Sequence, residues 1–183
     1  DLGRGVPGAE NCITSNEAFH LEKLPRRIVI AGGGYIAVEF AQIFQGLGSQ
    51  VTLVYRGPKI LRGFDEDMRD ALTESMHARG IRVVVNRTFK RVDKRGGEVF
   101  AITDHDEMLE ADQGMLAIGR VPNTDNMGLE TAGVARKKRG AIAVDEYSKT
   151  NVDHIHAIGD VTDRLQLTPV AIHEAMAFVN TVF

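Results

Sequence analysis

Apolar runs and helical repeats alternate through the first half of the chain. The run RIVIA at 27–31 is rich in branched residues and precedes three glycines, which predicts a buried parallel strand. The next stretch places Ile36, Phe40 and Phe44 on one helical face and closes on glycines, as helices commonly do. QVTLVY and IRVVVN predict two more strands, with a helix between them in DEDMRDALTESMHARG. This order predicts a parallel sheet joined by right-handed crossovers.

The pattern changes after residue 88 to short alternating segments. FKRVDKR, EVFAITD and EMLEADQGMLAIG predict a small antiparallel meander, with a hairpin turn at Gly96 and Gly97, that leads back to a last apolar strand. Beyond residue 120 we predict short strands near 141–144 and in HIHAIGD. The closing helix is expected to begin at LTPVA, with Thr168 as N-cap and Pro169 as its first residue.

The first 24 residues show little periodicity and are interpreted as a connector. Ser15 or Asn16 is expected to cap one or two helical turns there. The sequence begins without methionine and stops within a helical pattern, so we expect it to be part of a longer protein. We therefore predict a connector at 1–24, a nucleotide-binding domain at 25–120 and an incomplete second domain at 121–183.

Composition limits the function classes open to the chain. Its 183 residues are 43% hydrophobic and 26% charged, which is typical of globular proteins and not of disordered or membrane-spanning ones. The 22 basic and 25 acidic residues give a net charge of -3, so no global field attracts nucleic acid or anionic lipid. The single cysteine, Cys12, excludes an internal disulfide and favours a reducing compartment. We expect a cytoplasmic protein without membrane or nucleic-acid partners.

The segment GGGYIA matches the pattern G-x-G-x-x-G/A between a predicted strand and a predicted helix. Gly32 suits a tight turn, Gly34 lets a pyrophosphate approach the backbone, and the small Ala37 allows close helix packing. Ile36 lies within the same motif and belongs to the predicted site. The helix start then offers free amides and a partial positive charge to the phosphates. The sequence therefore predicts a Rossmann-like α/β fold with a dinucleotide site.

Two arginines stand where such a site usually has an acid. An acid at the end of the second strand would accept hydrogen bonds from the ribose hydroxyls of NAD and repel a 2′-phosphate. Arg56 follows this strand instead, and Arg62 comes six residues later. Because guanidinium groups bind phosphate oxygens through charge-assisted hydrogen bonds, we predict NADPH as the ligand. The alternative is that both arginines lie on a solvated loop.

Several motifs in register resemble those of the flavoprotein disulfide reductases, and among them the glutathione reductase family. They are GGGYIAVEFA, YRGPKILRGFD, AIGRVPNT and HAIGDVTDRLQLTPVA, and they span nearly the whole chain. The resemblance implies an NADPH-binding domain inserted into an FAD-binding domain, to which 1–24 and 121–183 would belong. It also implies electron flow from NADPH through FAD to a cysteine pair and then to a small-molecule disulfide, in a homodimer that includes a dimerisation domain.

The resemblance assigns further residues to the nicotinamide and the flavin. Tyr35 would cover the nicotinamide pocket, and Glu39 would lie near the flavin beside a lysine from the rest of the FAD domain. From the residues alone, Tyr35 could instead cap the core and Glu39 could be an exposed helical acid. Gly119 and Arg120 would lie near the cofactor at the domain junction.

Asp160 and the closing helix are assigned to FAD by the same resemblance. Asp160 would hydrogen-bond a ribityl hydroxyl, although alone it is equally a turn acid or helix cap. The helix that begins at Thr168 would aim its positive end at the flavin. His154 and His156 alternate along a predicted strand, but no third ligand is evident, so we expect no metal site.

The chain has no C-x-x-x-x-C pair, no second glycine motif for FAD and no His-Pro segment with a general acid. Because dithiol chemistry needs two thiolates and an acid-base partner, we expect this chain alone to be inactive as a disulfide reductase. Dihydrolipoamide dehydrogenase is disfavoured because it uses NAD and keeps an acid where Arg56 stands. A trypanothione reductase-like enzyme is one alternative, and a self-contained NADP-binding module without redox chemistry is another.

Overall fold

The computed structural model describes residues 5–183, so the first four residues of the predicted connector lie outside it. The chain divides into two compact units, the first ending at Gly119 and the second beginning at Arg120. The assignment of these parts to cofactor domains stays a prediction. In chain order the strands and longer helices are β1 (Cys12–Ile13), α1 (Ser15–Ala18), β2 (Arg27–Ala31), α2 (Tyr35–Gly46), β3 (Gln50–Val54), α3 (Glu66–Ala78), β4 (Arg82–Val84), β5 (Phe89–Arg95), β6 (Glu98–Thr103), β7 (Met108–Ala111), β8 (Gln113–Leu116) and α4 (Thr168–Val182).

The first unit is built on a parallel sheet with the strand order β1-β8-β2-β3-β4. A separate antiparallel sheet has the order β5-β6-β7. Its first hairpin turns at Gly96 and Gly97, whose φ angles of 58° and 91° suit glycine. The predicted α/β fold with a meander is therefore confirmed. The sequence did not predict β1, which places Cys12 and Ile13 beside β8.

Strand β2 is buried on both faces, which explains its unbroken apolar sequence. Ile28 and Ile30 pack in the core cluster that holds α2 and the end of α3. Val29 and Ala31 face the other way, into the cluster formed with the meander. Because successive side chains of a strand point to opposite faces, this one strand joins the helical layer to the meander.

The helix boundaries follow local capping chemistry. Asp65 caps α3 by accepting hydrogen bonds from the amides of Asp67 and Met68. The predicted cap of α1 at Ser15 or Asn16 is wrong. Thr14 is the N-cap, because its hydroxyl accepts from the Asn16 amide while the Glu17 carboxylate accepts from the Thr14 amide in a capping box.

The second unit has its own small core, formed around Leu129, Val134, Ile142 and Ala157. The strands predicted near 141–144 and in HIHAIGD are wrong, because each segment forms only one isolated bridge. Their backbone groups bond to turns instead of to a neighbouring strand, as when the Ile142 amide donates to the Val161 carbonyl.

Helix α4 follows these turns and contains no buried residue. Ile172, Met176 and Val179 are exposed at spacings that bring them to one helical face. Within residues 5–183, no helix combines the length and the apolar character that crossing a membrane requires.

Candidate functional site

The turn between β2 and α2 has a backbone that only glycine adopts easily. Gly32 has a φ of 142°, and its amide donates to the Val54 carbonyl at 2.9 Å. A Cβ at Gly32 would lie 2.3 Å from the Ala117 carbonyl oxygen and 3.1 Å from the Ala37 Cβ. The close approach of strand, helix and neighbouring strand therefore requires both small residues.

The next part of the loop opens outward. Gly34 is exposed, and a Cβ built there would meet no atom within 4 Å. It is the N-cap of α2, and neither a capping side chain nor an acid in the first turn competes for the first amides. Because the first amides of a helix lack carbonyl partners, this end can accept an anion. The glycine loop thus fits a pyrophosphate sterically and electrostatically.

The helix that starts there sets the positions of the other motif residues. Ile36 is half-buried against the helical core, and Ala37 is fully buried. Tyr35 is 36% exposed at the helix start. Glu39 is exposed on this helix.

Tyr55 fixes the segment that follows β3. Its amide donates to the Val84 carbonyl at 2.8 Å, and its carbonyl accepts from the Arg87 amide at 3.0 Å. Its ring lies against Gly33, where a Cβ would come within 2.3 Å of the ring carbon Cγ. The chain is therefore rigidly joined to the glycine loop just before Arg56.

Arg56 and Arg62 flank a segment that returns to the same loop. The Leu61 amide donates to the Gly33 carbonyl at 2.6 Å, which brings the residue before Arg62 against the glycine turn. Both arginine side chains are exposed. Neither forms a hydrogen bond or ion pair with another residue of the described chain, 5–183. Two uncompensated guanidinium groups thus leave the backbone near the carboxyl edge of the sheet.

The residue that anchors this segment to α3 was not predicted from the sequence. Arg69 is a buried charged residue whose guanidinium donates to the carbonyls of Lys59 and Ile60. The stretch DEDMRD gave no signal of it, since a helix start rich in charges is normally a solvated face. Arg69 is buried because it packs against the preceding loop, where it bonds to the carbonyls of Lys59 and Ile60.

The predicted residues of the second unit lie around a short 3₁₀ turn at Gly159–Thr162. Asp160 lies in this turn, 3.6 Å from the Arg120 guanidinium by its carboxylate oxygen. The Gly159 amide donates to the Glu174 carboxylate of α4 at 2.7 Å, so turn and helix are joined. Arg120 and Asp160 are thus brought together, whereas Gly119, with a φ of 141°, ends the first unit.

The predicted N-cap of α4 is wrong by one residue. Leu167 has the extended backbone of an N-cap, and its carbonyl accepts from the Ala171 amide at 3.0 Å. Thr168 is therefore already inside the helix, beside the proline of the first turn, and no side chain caps this end. The bare helix start remains available to a negatively charged group.

The single cysteine lies in the edge strand of the parallel sheet and not in the glycine loop. Cys12 lies in β1, where burial and the nearby Glu10 carboxylate raise the pKa of its thiol to about 11. The thiol is therefore protonated near neutral pH, and a protonated thiol is a poor nucleophile. His154 and His156 do not alternate along a strand as expected, since His154 lies in a turn and His156 in an isolated bridge.

Comparison with known proteins places the chain in a family. A match to the family described as pyridine nucleotide-disulphide oxidoreductase spans residues 2–175. Trypanothione reductase from Leishmania donovani is 53% identical over 185 residues, covering 98% of this chain and 37% of that protein. Glutathione reductase from Nostoc sp. is 47% identical over 190 residues, covering 97% of this chain and 41% of that protein.

A solved structure agrees with these sequence relatives. The HOCl-induced flavoprotein disulfide reductase RclA from Escherichia coli matches with a TM-score of 0.91 and 31% identity, over 97% of this chain and 41% of that one. The chain thus spans about two fifths of the length of each of these proteins. It belongs to the pyridine nucleotide-disulphide oxidoreductase family, the flavoprotein disulfide reductases.

Proposed function

We propose that the first unit binds NADPH, with its pyrophosphate on the glycine loop and its 2′-phosphate between Arg56 and Arg62. The observation that carries the proposal is the pair of exposed arginines without a partner in the described chain, next to a loop that an anion fits. No acid stands at the end of β3 to bind ribose hydroxyls, since Tyr55 and Arg56 follow Val54 directly. A bound phosphate would supply the countercharge that the chain does not.

Around the reactive end of the nucleotide, we propose roles that follow from family membership. Tyr35 would cover the nicotinamide pocket, and Glu39 would pair with a lysine of the remaining FAD domain. The exposure of Glu39 supports this, because its carboxylate is accessible to a lysine from another domain.

The second unit would contribute to an FAD site. Asp160 would bind a ribityl hydroxyl, and the uncapped start of α4, with Thr168 in its first turn, would face the flavin ring. Gly119 and Arg120, which are consecutive in the chain at the boundary between the units, would lie near the cofactor. FAD, when bound, would supply the two-electron relay between NADPH and a disulfide. The residues here would only hold and orient it.

For the whole protein we propose NADPH-dependent reduction of oxidised glutathione, in a cytoplasmic homodimer. The Nostoc relative supports this substrate. Trypanothione disulfide is the second candidate, supported by the 53% identity to the Leishmania enzyme. The single cysteine, with the pKa of its thiol raised to about 11, supports the expectation that this chain alone does not turn over a disulfide.

The nucleotide proposal is tested by calorimetry with NADPH and NADH on the parent chain and on Arg56→Glu. If each arginine contributes about 1.5–3 kcal/mol, the parent should prefer NADPH by about a hundredfold to ten-thousandfold. Arg56→Glu should remove most of that preference, because it adds the acid that repels a 2′-phosphate. Arg79→Glu, at the far end of α3, changes the net charge equally and should leave both affinities near the parent values. Equal parent affinities for the two nucleotides would refute the proposal.

Turnover separates the catalytic alternatives. The chain with NADPH and FAD is expected to reduce neither oxidised glutathione nor trypanothione disulfide, and measurable turnover of either would contradict that expectation. A polypeptide that carries this chain together with a cysteine pair is expected to reduce glutathione disulfide faster than trypanothione disulfide. The reverse preference would favour the second candidate, and activity with neither would favour the NADP-binding module.

A further inference from the structure

We propose that Arg69 is a positioning residue for nucleotide choice, which fixes the backbone that carries Arg62 without touching the nucleotide. The idea rests on the proposed function, because it requires Arg62 to bind the 2′-phosphate. Arg69 lies near the start of α3 and is 8% exposed, which is unusual for an arginine. Its guanidinium group therefore contacts other groups of the protein and not solvent.

The contacts of Arg69 show what that is. Its Nε donates to the Ile60 carbonyl at 2.7 Å and its Nη2 to the Lys59 carbonyl at 2.8 Å. Its Nη1 pairs with the Glu66 carboxylate one turn earlier in the same helix. One planar fork thus binds two successive carbonyls, an arrangement that the single ammonium of lysine does not reproduce.

The next residue along the loop is held in a disfavoured backbone conformation. Leu61 has a φ of 52°, in the left-handed region that non-glycine residues rarely adopt. Such a conformation persists only where the surroundings determine it. Here the Leu61 amide donates to the Gly33 carbonyl at 2.6 Å on one side, while Arg69 holds the two preceding carbonyls on the other.

Arg62 follows Leu61 directly, so these two sets of bonds determine where its side chain leaves the backbone. The same amide bond ties that point to the glycine loop, where the pyrophosphate is proposed to lie. Loss of the Arg69 fork would let Lys59–Leu61 relax away from the loop. Arg62 would then keep its charge, but its side chain would no longer be positioned to contact the 2′-phosphate.

Lys59 supplies a matched control in the same segment. Its Nζ pairs with the carboxylates of Glu66 at 3.1 Å and Asp70 at 2.7 Å, and its side chain is 39% exposed. These are surface ion pairs between loop and helix, which contribute little in water. Lys59→Met removes them and leaves both carbonyl bonds to Arg69 in place.

The experiment uses four variants of the 183-residue chain: Arg69→Lys, Lys59→Met, Arg62→Gln and the Arg62→Gln/Arg69→Lys double. Calorimetry gives affinities for NADPH and NADH, and hydrogen exchange follows the Leu61 amide without nucleotide. Arg69→Lys should weaken NADPH about tenfold, since a charge-assisted contact is lost. It should leave NADH nearly unchanged and speed exchange at Leu61. In the Arg62→Gln background it should cause no further loss, and Lys59→Met should resemble the parent.

The outcomes separate this proposal from the one beneath it. Equal affinities of the parent for NADPH and NADH would overturn the proposed function and the role of Arg69 together. A parent preference that Arg62→Gln removes and Arg69→Lys preserves would overturn the role of Arg69 alone. So would an equal loss for both nucleotides, or the same loss with and without Arg62. Thermal unfolding checks each variant, and Arg69→Gln replaces Arg69→Lys, with the same expectations, if the latter does not fold.

Discussion

The amino and carboxyl ends of the parallel strands use arginine in opposite ways. At the amino end, Arg27 contacts three carboxylates, those of Glu98 at 2.6 Å, Glu110 at 2.5 Å and Asp112 at 2.9 Å. At the carboxyl end, beyond the glycine loop, Arg56 and Arg62 meet no carboxylate of the described chain. A guanidinium group that is paired with carboxylates of the same chain, as in Arg27, stabilises the fold. Exposed guanidinium groups without such partners, as in Arg56 and Arg62, are candidates for binding an anionic ligand.

The amino end serves to hold the layers together. Glu98 belongs to β6 and Glu110 to β7, while Asp112 stands between the meander and β8. Asp112 also accepts from the backbone amide of Arg27, so the contact continues into the main chain. Arg27 thus anchors the meander to the central strand, and its contacts raise its own pKa and lower that of Asp112.

The largest effect is expected on NADPH affinity when both arginine charges at the carboxyl end are removed. Arg56→Gln with Arg62→Gln should weaken NADPH binding by about a hundredfold to ten-thousandfold, because two charge-assisted phosphate contacts are lost. NADH affinity and thermal stability should change little, since neither side chain has a partner within residues 5–183. Calorimetry and thermal melts measure both. A marked loss of stability would mean that these arginines are structural after all.

The second prediction concerns the glycines of the loop between β2 and α2. Gly32→Ala should lower the free energy of unfolding by about 1–3 kcal/mol, because the new Cβ meets a backbone oxygen in a conformation that alanine disfavours. Gly34→Ala, where a Cβ meets open space, should cost less in urea unfolding. Nucleotide affinity should nevertheless fall in Gly34→Ala, since the methyl group faces the proposed pyrophosphate. Equal unfolding costs would contradict the packing argument.

At the amino end, where Arg27 is paired with carboxylates, Arg27→Met should affect stability and not nucleotide affinity. It leaves three carboxylates close together without their shared cation, so the melting temperature should fall by a few degrees. The contacts are partly exposed, which keeps the effect below that of Gly32→Ala. NADPH affinity measured below the transition should match the parent. A selective loss of NADPH binding would erase the distinction between the two ends.

Lowering the pH should reduce the stability that the Arg27–Asp112 contact provides. The Arg27 guanidinium, followed by hydrogen bonds from backbone amides, holds the pKa of Asp112 below its usual range. Its contribution to stability is therefore present above the unfolded aspartate pKa of about 3.9 and is lost as the pH falls through the lower folded value. Urea unfolding of the parent and Arg27→Met should converge as the pH falls through this window. A difference that stays constant with pH would exclude Asp112 as the cause.

The parts of the molecule that the sequence predicted well are those encoded locally. RIVIA, the three glycines and the helix after them are set by burial on two faces, by φ angles and by spacing, all within twenty residues. The second unit was predicted less well, because whether HIHAIGD forms a strand depends on a distant partner. Arg69 was missed for the same reason: no periodicity shows which charge of a polar helix start will face a loop.

Cofactor roles stand differently, since they depend on atoms that the chain itself does not contain. Arg56 and Arg62 directly follow Tyr55 and Leu61, which contact Gly33 of the glycine loop, but their binding of a phosphate stays a prediction. Thr168 shows how a pattern can be correct in kind and displaced by one residue, because the Leu167 carbonyl closes the first turn of α4.

The ring of Tyr55 against Gly33 has an optical consequence. The protein has no tryptophan and three tyrosines, so tyrosine alone sets its ultraviolet emission. Tyr55 and Tyr35 both border the glycine loop, and only Tyr147 lies in the other unit. Two of the three intrinsic fluorophores therefore stand beside the proposed dinucleotide, which gives the chain a built-in, label-free reporter of occupancy.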